Sequence, residues 1–201
     1  MAGERARVPF VGLTGGIAAG KSEALNALER LGAATLSSDA VVHELLTAGE
    51  IRDQLVEKFG DEVAPGGEID RGKVAEKVFG EDERRKWLEG LLWPRVGQRI
   101  WEWRSGLEES DDPPRAAVVE VPLLFEAGME DGFDATLAVV AEESVREDRA
   151  AQRGHAGVAS RTARQMSQEE KSQRADFTVR NDGSLEELET KLSEVLGKIE
   201  S

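Results

Sequence analysis

The chain has 201 residues, enough for one compact domain with insertions, and its 40 acidic and 26 basic side chains leave a formal charge of −14. That excess opposes general nucleic-acid binding, which needs a basic footprint, yet leaves room for one small anion pocket whose local field outweighs the sum. Cysteine is absent, so disulfides and thiolate zinc sites are excluded, and His43 with His155 makes a poor metal centre.

The polar start, residues 1–7, lacks the apolar stretch of a signal peptide. No apolar run nears the ~20 residues that span a bilayer, so a cytoplasmic protein without membrane partners is expected. Residues 8–13 form a short apolar run ending in glycine, the pattern of a buried strand. A helix follows over 21–31, with Ala24, Leu25, Leu28 and Leu31 at helical spacing and Gly32 stopping it. Residues 33–36 read as a second strand, and 40–47 and 51–59 as helices. Pro65-Gly66-Gly67 marks a loop over 60–69. Helices are predicted over 71–79 and 83–93, with Pro94 breaking or restarting the helix before 95–109. After the linker Asp111-Asp112-Pro113-Pro114, buried strands are predicted over 116–121 and 135–141. Charged helices are read over 142–152 and 159–166, and a last strand over 177–179. Ser184, with Glu187 three residues on, forms a capping box that opens the final helix. Strands alternating with helices predict an α/β fold with a parallel sheet, interrupted by a strand-free helical insertion.

Gly15-Gly16-Ile17-Ala18-Ala19-Gly20-Lys21-Ser22 lies between the first strand and its helix. Glycines at the ends of this spacing let the backbone close around phosphate. The N–H groups of the loop and of the helix N-terminus then face the anion. Lys21 supplies charge to the β- and γ-phosphates, and Ser22 supplies a hydroxyl to Mg²⁺. The P-loop predicts a nucleoside triphosphate, with ATP and Mg²⁺ as the expected pair. No guanine-reading Asn-Lys-x-Asp is present, and strand 118–121 has Glu120 as its only carboxylate, where a motor ATPase usually ends in Asp. A kinase of a small acceptor is therefore expected.

Asp39 should return to the sheet edge that holds the phosphate loop, because helix 21–31 climbs ~15 Å and the next strand descends by a similar amount. Ligands bind at that carboxyl edge in open α/β sheets. There Asp39 can take the proton of an attacking hydroxyl or hold a water on Mg²⁺; otherwise it or Ser38 caps the following helix.

These residues, in order, resemble the dephospho-CoA kinase family. The resemblance runs through the P-loop, Asp39, Ile69-Asp70-Arg71, Trp87-Leu88-Glu89, Pro94 and Val121-Pro122-Leu123-Leu124-Phe125-Glu126. It continues through Arg149, Arg153, Arg161, Gln165, Lys171-Ser172-Gln173-Arg174-Ala175-Asp176-Phe177 and Asn181-Asp182-Gly183. It implies a P-loop NTPase three-layer fold: a core over 7–44, 114–142 and 175–201, a helical acceptor-binding insertion over about 45–110, and a helical lid over about 143–174. It also implies phosphorylation of the 3′-hydroxyl of dephospho-coenzyme A by ATP, with Asp39 catalytic, Asn181 at the adenine, and Leu123 on the acceptor side. Ser37-Ser38-Asp39 stands where the family usually has Asp-Ala-Asp, His43 where it has arginine, and Trp93-Pro94 where it has His-Pro. These departures keep open a nucleotide-gated binding protein without turnover, and the shared core keeps open a nucleoside or nucleotide kinase.

Arg146, Arg149 and Arg153 fall on one helix face, followed by Arg161 and Arg164. Arg149 or Arg153 is expected to stabilise the transferring phosphoryl, and Arg146 to be solvated. Gly154, His155 and Gly157 suit a hinge. Arg71 is read as a ligand for an acceptor phosphate or an exposed residue, and Glu126 as a carboxylate that orients a lid arginine or caps a helix. Trp93 and Trp101 are expected to pack between insertion helices rather than to stack on adenine or on a pantetheine arm. A monomer or weak homo-oligomer is expected.

Overall fold

The structure is a computed structural model that describes residues 7–152 and 165–201. The expected helix over 159–166, for all but its last two residues, lies outside the described residues, as do Arg153, Gly154, His155, Gly157, Arg161 and Arg164. The chain divides into two compact units, Met1–Ser37 with Arg104–Ser201, and Ser38–Trp103.

The first unit is built on a parallel sheet. Its strands are β1 (Phe10–Gly15), β2 (Ala34–Ser37), β3 (Ala117–Glu120), β4 (Ala135–Val140) and β5 (Phe177–Arg180). They lie in the order β2-β3-β1-β4-β5, every pair parallel. Central strands of such a sheet are covered on both faces and read as apolar runs, as β1, β3 and β4 do. Successive side chains point to opposite faces. Val11 and Leu13 face a core shared with Leu25 and Leu28 of α1 (Lys21–Arg30) and Leu188, Leu192 and Leu196 of the C-terminal helix (Leu185–Ile199). Gly12 and Thr14 face the other way. There a side chain at Gly12 would collide with Leu124 and Phe133, and Thr14 meets Lys171. Helices therefore cover both faces, the three-layer arrangement expected.

The second unit is helical: α2 (Ser38–Thr47), α3 (Gly49–Phe59), α4 (Arg71–Val78) and most of α5 (Asp82–Glu108), which continues into the first unit. Val41, Leu45, Ile51, Leu55, Leu92 and Val96 are buried. Two expectations fail here. Pro94 does not break the helix: α5 runs through it without interruption. Proline withholds one N–H and crowds the carbonyl four residues earlier, but that residue is Gly90, which has no side chain to hinder a tilt. The neighbouring Leu91 carbonyl accepts from Arg95 Nη1 at 2.8 Å, and the flanking Leu92 and Val96 are buried. Nor do Trp93 and Trp101 pack inside: they are 49% and 66% exposed. Their spacing placed them among apolar positions, but Leu92, Val96 and Ile100 take the buried face of α5. Of the four tryptophans, only Trp87 has an aromatic partner among the described residues, meeting Phe59 edge-on at 5.5 Å.

The remaining α-helices among the described residues belong to the first unit: α6 (Glu143–Gln152), α7 (Gln168–Arg174) and α8 (Leu185–Ile199). Ser184 caps α8 as expected, its Oγ accepting from Glu187 N–H at 3.3 Å, but Glu187 does not return a bond to Ser184 N–H, so only half of the expected capping box forms. A full capping box also opens α7: Ser167 Oγ accepts from Glu170 N–H, and Glu170 accepts from Ser167 N–H. The Ser167-x-x-Glu170 pattern was legible, although α7 was not among the predicted helices. Asp176, ahead of β5, accepts from Thr136 N–H at 2.8 Å and Thr136 Oγ1 at 2.7 Å, and donates its own N–H back to that hydroxyl. This exchange sets β5 against β4.

Candidate active site

The turn after β1 is made by backbone conformations that few side chains allow. Gly20, the N-cap of α1, has φ +94°, and a Cβ there would lie 2.1 Å from Asn181 Nδ2. At Gly15, φ is +154° and a Cβ would lie 2.2 Å from the Val139 carbonyl. The first clash is with the Asn181 side chain just past β5 and the second with the β4 backbone, and each adds to a positive φ that favours glycine. Within the turn Ala19 N–H donates to Gly16 O at 3.2 Å. Lys21 Nζ donates to Gly15 O at 3.3 Å and Gly16 O at 3.2 Å, which folds the ammonium over the loop. Ser22 is exposed at the second position of α1.

Two side chains bond this loop from outside, and a third braces one of them. Asn181, only 6% exposed, donates from Nδ2 to Ala19 O at 2.9 Å. Its own carbonyl accepts from Arg149 Nη1 at 3.0 Å. Arg146 Nε donates to Ile17 O at 2.9 Å. Arg146 is thus half-buried against the phosphate loop, not solvated as expected. The i, i+3 spacing correctly placed it on the face of Arg149, but pairing with nearby acids loses to the loop carbonyl. Gln168 approaches Gly16 as Arg146 does, and bonds both to Ala141 N–H at 3.2 Å and to Ala141 O at 2.8 Å. Gly16, Ile17, Arg146, Gln168 and Arg180 line one open cleft.

Beneath the loop lies Lys171, wholly buried. Its ammonium donates to Pro122 O at 2.6 Å and Thr14 Oγ1 at 3.3 Å, and stands 3.1 Å from Glu126 Oε1. That oxygen also accepts from Met166 N–H at 2.8 Å. Burial pulls the pKa of Lys171 below its ordinary value, an effect the Glu126 carboxylate only partly offsets. Lys171 was part of the resemblance but received no role from sequence; only its contacts reveal one. Leu123 is half-buried in the segment after β3. At the β2 end, Ser37 Oγ donates to Glu120 Oε2 at 3.1 Å.

Asp39 is exposed at the second position of α2, directly after the carboxyl end of β2. Arg71 is exposed at the first position of α4, whose N-cap Asp70 accepts from Gly72 and Lys73 N–H. Both belong to the helical unit. No cluster of three or more acidic or histidine side chains suited to a metal occurs among the described residues. Magnesium needs none: it keeps several waters and takes one or two protein oxygens plus substrate phosphates. The exposed Ser22 hydroxyl fits that requirement.

An all-parallel sheet whose first strand feeds a glycine-bounded, lysine-bearing loop into a helix defines a P-loop nucleotide-binding protein. The dephospho-CoA kinase (CoaE) family matches residues 9–187, and the chain belongs to it. Dephospho-CoA kinase of Deinococcus radiodurans is 36% identical over 193 residues, 94% of this chain and 92% of that protein. The Thermus thermophilus enzyme of the same name is 36% identical over 201 residues, 98% and 95% of the two chains. Among solved structures, TT1252 from Thermus thermophilus has a TM-score of 0.78 at 34% identity, covering 96% of this chain and 98% of that one. Dephospho-CoA kinase from Campylobacter jejuni has a TM-score of 0.65 at 26% identity, with the same coverage.

Proposed function

We infer that this chain transfers the γ-phosphoryl group of ATP to the ribose 3′-hydroxyl of dephospho-coenzyme A, giving coenzyme A and ADP. The observation that carries this reading is the family match over residues 9–187, with its phosphate loop built and braced. The loop amides from Gly15 to Ser22 receive the polyphosphate, as oriented N–H groups at a helix N-terminus receive any anion. Lys21, now resting on loop carbonyls, turns to the phosphates when they arrive. Ser22 would hold Mg²⁺ through its hydroxyl, and the ion would neutralise charge on the phosphates.

Asp39 accepts the proton of the attacking hydroxyl. Its exposure and its place just past the carboxyl end of β2 support this role. Arg149, half-buried beside Asn181 and the loop, neutralises charge developing on the transferred group; Arg153 is assigned the same work by its spacing alone. Asn181 is assigned to the adenine side, and its Nδ2 also supports the nucleotide through the Ala19 carbonyl of the loop it holds. Arg71 and Leu123 are assigned to the acceptor side, and Glu126 to the same side through the segment after β3 that it anchors.

The test is release of ADP from MgATP over an acceptor panel. Dephospho-coenzyme A should be turned over and nucleoside monophosphates should not. Preference for a nucleoside or nucleotide would change the acceptor, and tight ATP binding without ADP over the whole panel would make the chain a binding protein.

A further inference from the structure

Lys171 is a poor stabiliser. A buried ion pair recovers little of its desolvation cost, and apolar replacement of both partners is often neutral or favourable. What a buried ammonium does well is fix positions, because each of its three protons needs an acceptor. Here all three have one, and they come from two segments of the chain. Thr14 is the residue immediately before Gly15. Its hydroxyl accepts from Lys171 and donates to Pro122 O at 3.3 Å, so the same contacts orient it in both senses. Pro122 and Glu126 belong to the segment after β3. Glu126 in turn holds Met166 N–H, two residues before Gln168. Gln168 ties the start of α7 to the end of β4 through both Ala141 bonds, and its side chain stands about 3.5 Å from where a Gly16 Cβ would be.

We propose that Lys171 is a positioning residue for phosphoryl transfer: through Thr14 and Glu126 it fixes the start of the phosphate loop against the Gln168 side of that loop. The proposal rests on the P-loop reading above. No contact with substrate is required of it. Its lever is geometric, since a displacement of about 1 Å at a reacting centre can lower a rate about a hundredfold.

The test uses the full chain and the variant Lys171→Met with Glu126→Gln. This pair removes both charges, keeps both volumes, and leaves an amide oxygen for Met166 N–H. Its urea midpoint should match the wild type, while kcat with dephospho-coenzyme A falls at least about tenfold. A merely structural pair predicts that stability and turnover recover together. A folded double variant with kcat within about twofold of wild type therefore overturns the proposal. Should that variant not fold, Thr14→Val leaves the ion pair intact and removes only the link to the loop. It should lose turnover as well, and Thr14→Ser should restore it; normal turnover in Thr14→Val then overturns the proposal. An inactive wild type would refute the acceptor reading instead. In that case calorimetric affinity for MgATP becomes the readout, with a loss of about fivefold expected in Thr14→Val and an unchanged affinity overturning the proposal.

Discussion

At Gly20 two demands meet: a positive φ to turn the chain into α1, and close approach of Asn181 from the β5 edge. Gly20→Ala satisfies neither, since its Cβ would stand 2.1 Å from Nδ2. It should abolish measurable ATP binding by calorimetry; binding within about threefold of wild type would show that the loop tolerates the shift. Asp39 is a different case, exposed and without a structural task among the contacts of α2. Asp39→Asn should leave ATP affinity in place and lower kcat at least about a hundredfold, the usual scale for a general base. Near-normal turnover would remove Asp39 from the proton-transfer role. Lys171 adds a pH dependence. Its folded pKa lies below its ordinary 10.5 because burial penalises the charge. Between the lowered value and 10.5 the unfolded chain holds more protons at this site than the folded chain, so stability from this group rises with pH in that window. The wild-type-minus-Lys171→Met difference in unfolding free energy should grow as pH rises towards 10.5. A difference that is flat or shrinks would place the ammonium in a more solvated setting.

Helix α5 shows how an element is decided by more than its local sequence. Proline at position 94 predicted a break, yet buried Leu91, Leu92, Val96 and Ile100 on either side hold one helical track. The helix also contains Gly97, exposed, with nothing within 4 Å of where a Cβ would be built. Gly97→Ala should therefore stabilise the protein by about 0.5–1 kcal/mol, through lower backbone entropy in the unfolded chain and better helix propensity. Urea denaturation measures this, and a destabilised variant would mean that the position is packed. Helix α7 carries the opposite lesson. Seven residues form little helix alone; the capping box at Ser167 and the buried Lys171 make this one definite, and the first of those signals was present in the sequence.

For the whole molecule, the charge of −14 and the anion-binding loop make opposing claims on a polyanion. The loop should win for MgATP, because its dipoles are local and oriented, and lose for nucleic acid, which needs a broad basic surface. MgATP at about a hundred times its Kd should then raise the unfolding free energy by about 2.7 kcal/mol. A single-stranded oligonucleotide at physiological salt should not shift the transition, and Lys21→Ala should lose most of the MgATP effect. A shift with the oligonucleotide, or an undiminished MgATP shift in Lys21→Ala, would contradict this division. None of the helices among the described residues is long and apolar enough to cross a membrane.

Periodicity and spacing alone determined the alternating strands, the P-loop between β1 and α1, and the shared face of Arg146 and Arg149, because these depend on residues close in the chain. The structure decided what distant residues do to one another. Asn181 reaches back to Ala19, Arg146 to Ile17, and Lys171 to Thr14, across separations of 162, 129 and 157 residues. Which buried polar group meets which carbonyl follows from strand order in the folded sheet, and no local pattern of residues encodes that.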